Sequence, residues 1–186
     1  ILVNYLTSKL FKNTLVLIFY ASLLNILFVP LVFIFQIPAL PPTHLLPFFF
    51  LISVIEILYI YPYFKALQLE DSSVVSSLFS LGKIFVPILA FLLVGEVLAP
   101  TQYLGFIIII LGSTALTLNH RGKLRLNKSF FYMFVSAILV SLQAVIYKYL
   151  FENVSWSTGF VWPTIFSAVI ACFFLVSSKI RKAVSS

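Results

Sequence analysis

Charge is what this sequence lacks most: 9% of its 186 residues are Asp, Glu, Lys or Arg, and five of them are acidic. A water-soluble chain of this length needs far more polar surface to cover itself. Apolar residues make up 62%, with 21 Phe among them, so most faces require a non-aqueous neighbour, which lipid supplies. A single cysteine, Cys172, lies in an apolar run; it excludes a disulfide framework or thiolate zinc site and reads as a small buried hydrophobe. The first residue is Ile1 and the one methionine is Met133. Residues 1–8 lack the charged region and cleavage site of a signal peptide, so the chain reads as a piece of a longer protein. GxSxG, HExxH and P-loop motifs are missing, as is a paired carboxylate at a common site. An enzyme is therefore not expected, nor a metal or cofactor. The net charge of +7 sits in short clusters between apolar runs, not on the broad basic surface that nucleic acid needs.

What is present is a series of long apolar segments. A bilayer core of about 30 Å takes roughly 20 helical residues to cross. That ruler predicts six complete spans, at about Thr14–Gln36, Leu45–Phe64, Ser73–Gly95, Tyr103–Leu118, Ser129–Phe151 and Ser155–Ser178. Residues 1–8 read as the tail of a seventh. The segments are too long for strands and lack two-residue alternation, so the fold class is an all-α, polytopic membrane bundle. Pro38, Pro41, Pro42 and Pro100 fall in the connections and stop helices, while Pro30, Pro87 and Pro163 fall inside spans. Alternating the spans puts ten of the twelve Lys and Arg on one side, which the positive-inside rule makes cytoplasmic. Trp156 and Trp162 suit the opposite aromatic belt. VNYLTSKLFKN and AVIYKYLFEN both close on a lysine, Lys9 and Lys148, followed by Phe. Five spans separate them, which is the arrangement of an inverted repeat.

Residues 61–118 carry a more specific pattern. In order come the aromatic-rich YFKAL, the acidic-small turn LEDSSVV, VGE at the end of one helix, and Q-x-x-G opening the next before LGSTALTL. This stretch resembles the second half of an EamA-like repeat of the drug/metabolite transporter superfamily. The resemblance implies ten helices in two five-helix inverted repeats, of which this chain holds about six full spans and one partial. Residues 1–118 would form the first repeat, 119–128 a basic linker and 129–186 the start of the second. It further implies secondary transport of a small organic solute, such as an amino acid, metabolite or xenobiotic, by alternating access in a bacterial inner membrane. The expected partners are lipid and that solute, with proton coupling and oligomeric state left open. A non-transporting scaffold or sensor is the alternative. Glu96 and Gly105 match the motif glutamate and glycine, whereas many members have Pro where this chain has Lys83.

Two ionisable groups fall deep in spans, Glu56 and Lys83. A charge at the bilayer centre costs about 2.5–3.5 kcal/mol on insertion scales, so each needs a partner or a wet cavity. At 1.5 Å per residue they lie roughly 12 and 15 Å from the basic side. Their spans are consecutive and antiparallel, so an ion pair lining the solute path is expected, with a purely structural pair as the alternative. Ser76, Ser80, Lys83 and Pro87 follow the spacing of one helix face, and Ser53, Glu56, Ile60 and Tyr63 that of another. Tyr59 and Tyr63 are candidates for stacking on a solute or for packing. Asn25 and Gln143 are intramembrane amides suited to interhelical hydrogen bonds or solute contact. Gly105 and Gly112 share a face and read as points of close helix approach. His44 and His120 read as solvated loop residues, and the sequons at Asn127 and Asn153 as chance patterns.

Overall fold

A computed structural model describes residues 13–97, 99–117 and 127–184, with the side chains at 81, 116, 117 and 179 left aside. The partial first span, Lys9, Lys12 and most of the basic linker lie outside the described residues. Every described element is helical, and the order follows the apolar runs. These are α1 Thr14–Ile26, α2 Val29–Phe35, a 3-10 turn Thr43–Leu45, α3 Leu46–Leu69, α4 Ser72–Gly82, α5 Phe85–Val94 and α6 Pro100–Thr117. Then come α7 Lys128–Asn153, α8 Trp156–Cys172, a 3-10 turn Phe173–Val176 and α9 Ser178–Val184. Five segments are long and apolar enough to cross a membrane: Thr14–Phe35, Thr43–Leu69, Ser72–Val94, Lys128–Asn153 and Trp156–Val176. The remaining expected span, at about Tyr103–Leu118, corresponds to the shorter α6.

Proline explains where two spans break. Pro30 lacks the N–H that would bond the Ile26 carbonyl, and α1 stops at Ile26. Pro87 does the same to the Lys83 carbonyl, which accepts from Val86 N–H at 3.1 Å instead, and α4 stops at Gly82. Pro62 and Pro163 are carried inside α3 and α8 without a break.

The described chain divides into two compact units, one within residues 59–145 and the other within residues 13–58 and 146–184, so α3 and α7 each contribute to both. In the second of these, α8 presents a buried face of small residues, including Ser157, Thr158, Gly159, Thr164, Ser167, Ala168 and Ala171. Small side chains let helices approach closely where lipid gives no hydrophobic drive, and α1 packs against α8 here. Hydroxyls reinforce the contact. Ser53 shares its proton between the carbonyls of Phe49 at 2.9 Å and Pro163 at 3.0 Å, joining α3 to α8. The proline-rich connection after α2 is strapped to α8 as well. Ala39 N–H donates to Thr158 Oγ1, and Ala39 carbonyl accepts from Trp162 Nε1, each at 2.9 Å.

The unit of residues 59–145 is centred on Ala66, Leu67, Val75, Leu78 and Met133. Three serines of α7 bond backbone carbonyls of its neighbours: Ser129 to Ala66 at 3.4 Å, Ser136 to Tyr59 at 2.8 Å and Ser141 to Gly82 at 3.3 Å. Asn127 caps α7 by accepting from Phe130 N–H at 3.0 Å, and donates from Nδ2 to the Glu70 carboxylate beyond the end of α3. Cys172, expected to be buried, is exposed at the last turn of α8. An apolar run in a bundle has a lipid face as well as a packed one, and hydropathy does not separate them.

Candidate functional site

Serine recurs through α4 at positions 73, 76, 77 and 80, a spacing that gathers the hydroxyls along one side of a helix. α4 packs along α6, which brings Ser113 to the same place. Between them lies a groove of about 400 Å³ lined by Ser73, Ser76, Ser77, Ser80 and Ser113. Ser77 and Ser80 donate to the carbonyls of Ser73 and Ser76 in their own helix, at 2.9 and 3.0 Å. Each spends its proton on the backbone and keeps oxygen lone pairs as acceptors. Ser76 is exposed, and its hydroxyl offers a donor. The wall therefore presents both kinds of hydrogen-bonding group without a formal charge. An apolar cavity of about 250 Å³ in the same unit is lined by Leu78, Phe85, Ile110, Thr114, Met133 and Phe134 among others.

The expected Ser76–Ser80–Lys83–Pro87 face does not run as one helix. Ser76 and Ser80 line the groove, but the helix ends at Gly82, and Pro87 lines a separate apolar pocket with Phe91 and Tyr103. Lys83 is exposed in the break and is the midpoint of the span Ser72–Val94. Glu56 belongs to the other unit and is the midpoint of Thr43–Leu69. It is partly buried and lies beside Ser167 of α8.

The remaining candidates scatter. Tyr63 packs its ring on Phe64 and Phe79, at centroid distances of 5.8 and 5.6 Å, inside the core of its unit. Tyr59 is partly buried one turn earlier, with its carbonyl held by Ser136. Gln143 is buried in α7. Asn25 lies partly buried at the end of α1, where its carbonyl accepts from Phe28 N–H at 3.2 Å across the break. Gly105 and Gly112 are corrected: a Cβ on either would meet nothing within 4 Å. The close approaches belong to Gly82, against Ala137, and Gly159, against the Phe151 ring. Residue spacing finds a shared face but does not tell which face has a neighbour.

Sequence reasoning missed Ser73, Ser77 and Ser113 as groove residues, Ser167 as a neighbour of Glu56, and Asn127 as a cap. The i, i+3, i+4, i+7 serine pattern was a readable signal for the first two. Asn127 stands three residues before Phe130 at a helix start, which is an N-cap position.

The motif elements also have local tasks. Gly95 ends α5 with φ 70°, and its N–H bonds the Phe91 carbonyl at 3.0 Å; this left-handed stop suits glycine. Gln102 Oε1 accepts from Ala99 N–H at 2.7 Å, capping α6 with Pro100 at its first position. Glu96 follows the stop and is partly buried.

Five helical segments long and apolar enough to cross a membrane describe an integral, multi-pass membrane protein. The profile of the EamA-like transporter family matches residues 3–118, and the chain belongs to that family. A search of curated proteins finds no match.

Proposed function

We propose that this chain works in secondary transport, moving a small polar organic solute across the membrane by alternating access. The observation that carries the reading is the groove of five serines between two helices of an otherwise apolar bundle. Its volume of about 400 Å³ falls within the roughly 300–1,000 Å³ of small-molecule sites. Hydroxyls facing a cavity can exchange a solute's water shell for protein hydrogen bonds without holding it too tightly to leave. Among the described residues the lining contains no aromatic or charged side chain, which favours neutral or zwitterionic metabolites over flat organic cations. In this reading residues 1–118 form one repeat, 119–128 a linker and 129–186 the start of a second repeat. The basic side faces the cytoplasm of a bacterial cell.

The test is flux in proteoliposomes containing the longer protein of which this chain reads as a piece. Labelled amino acids, other metabolites and cationic dyes are offered with and without a proton gradient. Polar solutes should cross and dyes should not. Ser76→Leu, which fills the groove from an exposed position, should lower flux at least tenfold while leaving the melting temperature within about 2 °C, as expected of a surface change. Absence of flux for every solute from a well-folded wild-type bundle would favour a scaffold or sensor instead.

A further inference from the structure

The break after α4 exposes Lys83 without a counter-ion. Among the described residues it makes no ion pair or side-chain hydrogen bond. The acidic side chains of residues 59–145 are Glu70, Asp71 and Glu96, roughly 18–20 Å away along the span at 1.5 Å per residue. The backbone sets where the lysine stands. Lys83 N–H bonds the Ser80 carbonyl at 3.1 Å, an i→i+3 closure that brings side chains three apart over one another. Lys83 therefore follows directly on Ser80, at the end of the row that Ser76 and Ser80 form in the groove. Side chains also lean towards the N-terminus of their helix, here towards that row. A lone charge at mid-span costs about 2.5–3.5 kcal/mol on insertion scales, and it is tolerated where a wet cavity or an anion meets it. A hydroxyl-lined groove admits both.

We propose that Lys83 is the anion subsite of the serine groove and takes the carboxylate of a short amino or hydroxy acid. One lysine neutralises one charge, which is what a carboxylate carries. A phosphate monoester brings about −1.5 to −2 and would leave negative charge stranded in the membrane. The hydroxyls suit the rest of such a solute. Ser77 and Ser80 give their protons to the helix and present lone pairs, which accept from an ammonium or hydroxyl beside the carboxylate. A solute with a donor next to an acid thus matches the order of groups along one wall, the lysine first and the serine acceptors after it. Carrying that acid across the membrane rests on the transport reading above; binding it does not.

Protection from thiol labelling, in lipid vesicles holding the longer protein, tests it. Ser76→Cys places a thiol at an exposed groove position, and its reaction with a water-soluble thiol reagent is followed by mass of the modified peptide. Alanine and lactate should slow the reaction, whereas alaninol, propane-1,2-diol and inorganic phosphate should not. Lys83→Gln should weaken the protection by alanine about thirtyfold or more, as when one partner of a water-shielded ion pair is removed, and Lys83→Arg should retain it. Equal protection in wild-type and Lys83→Gln backgrounds, protection by the alcohols or by phosphate, or none by either acid overturns the proposal. So does protection that grows in Glu56→Gln, which would mean that Glu56 already neutralises the lysine. Where Lys83→Gln fails to fold, the comparison of acids with alcohols and the Lys83→Arg variant decide. Acid protection without flux of any solute removes the transport reading and leaves the carboxylate site. Flux of polar solutes that is indifferent to Lys83→Gln does the reverse.

Discussion

Gly82 and Ala137 stand so close that a Cβ at residue 82 would overlap the Ala137 methyl. The contact fixes the end of α4 on α7, and Ser141 Oγ completes it by donating to the Gly82 carbonyl at 3.3 Å. That carbonyl closes a helix broken at the next residue, so the serine takes the place of a missing backbone donor. Gly82→Ala should therefore destabilise the bundle by about 1–3 kcal/mol through overpacking. Thermal melting in detergent checks it; an unchanged midpoint would mean that α4 and α7 separate at little cost.

The opposite outcome is expected at Gly105. It lies inside α6 with open space where a Cβ would go, so no neighbour resists a side chain. Gly105→Ala should leave the fold intact and stabilise α6 by up to about 1 kcal/mol, the helix-propensity difference between the residues. The same holds for Gly112. Loss of stability at either position would show that the face is covered in the membrane, and melting curves in lipid and in detergent separate the two cases.

The contrast between these glycines shows how much of the structure was legible beforehand. Helix number and placement were, because bilayer thickness sets segment length and prolines punctuate the runs. The predicted span at Thr14–Gln36 returns as Thr14–Phe35, and that at Ser73–Gly95 as Ser72–Val94. What periodicity does not encode is which face meets which helix. Gly105 and Gly112 share a face as well as any pair, yet Gly82 carries the contact. Ser76 and Ser80 were readable from spacing, whereas Ser113 comes from a segment more than thirty residues away. Glu56 was readable as a group in need of polar company, but its neighbour Ser167 is one of many serines in the chain.

Asn127 joins two parts of the same unit. Its Oδ1 caps α7 through Phe130 N–H at 3.0 Å, and its Nδ2 reaches the Glu70 carboxylate. Asn127→Ala removes both bonds and should cost about 1–2 kcal/mol, the upper part of the range for an N-cap. Asn127→Asp retains the cap but sets two carboxylates together, so it should recover less than the full loss at neutral pH. Melting temperatures of the two variants, with Glu70→Gln as a third, apportion the cap and the side-chain bond.

Pro87 is the residue on which the break in the Ser72–Val94 span depends. Without its N–H the Lys83 carbonyl is left to Val86 at 3.1 Å, and α5 begins afresh at Phe85. Pro87→Ala returns a donor to position 87 and removes the ring that crowds the Lys83 carbonyl. The span should then close towards one continuous helix, with a gain of about 1–3 kcal/mol, bounded by the helix-interior penalty of proline. Closing it turns the Gly82 carbonyl back into the helix and withdraws it from Ser141. Amide exchange at residues 84–87 should slow, and Ser141→Ala should become close to neutral in the Pro87→Ala background although it costs about 1 kcal/mol in the wild type. Equal Ser141→Ala costs in both backgrounds would mean that packing at Gly82, and not Pro87, holds the helix open.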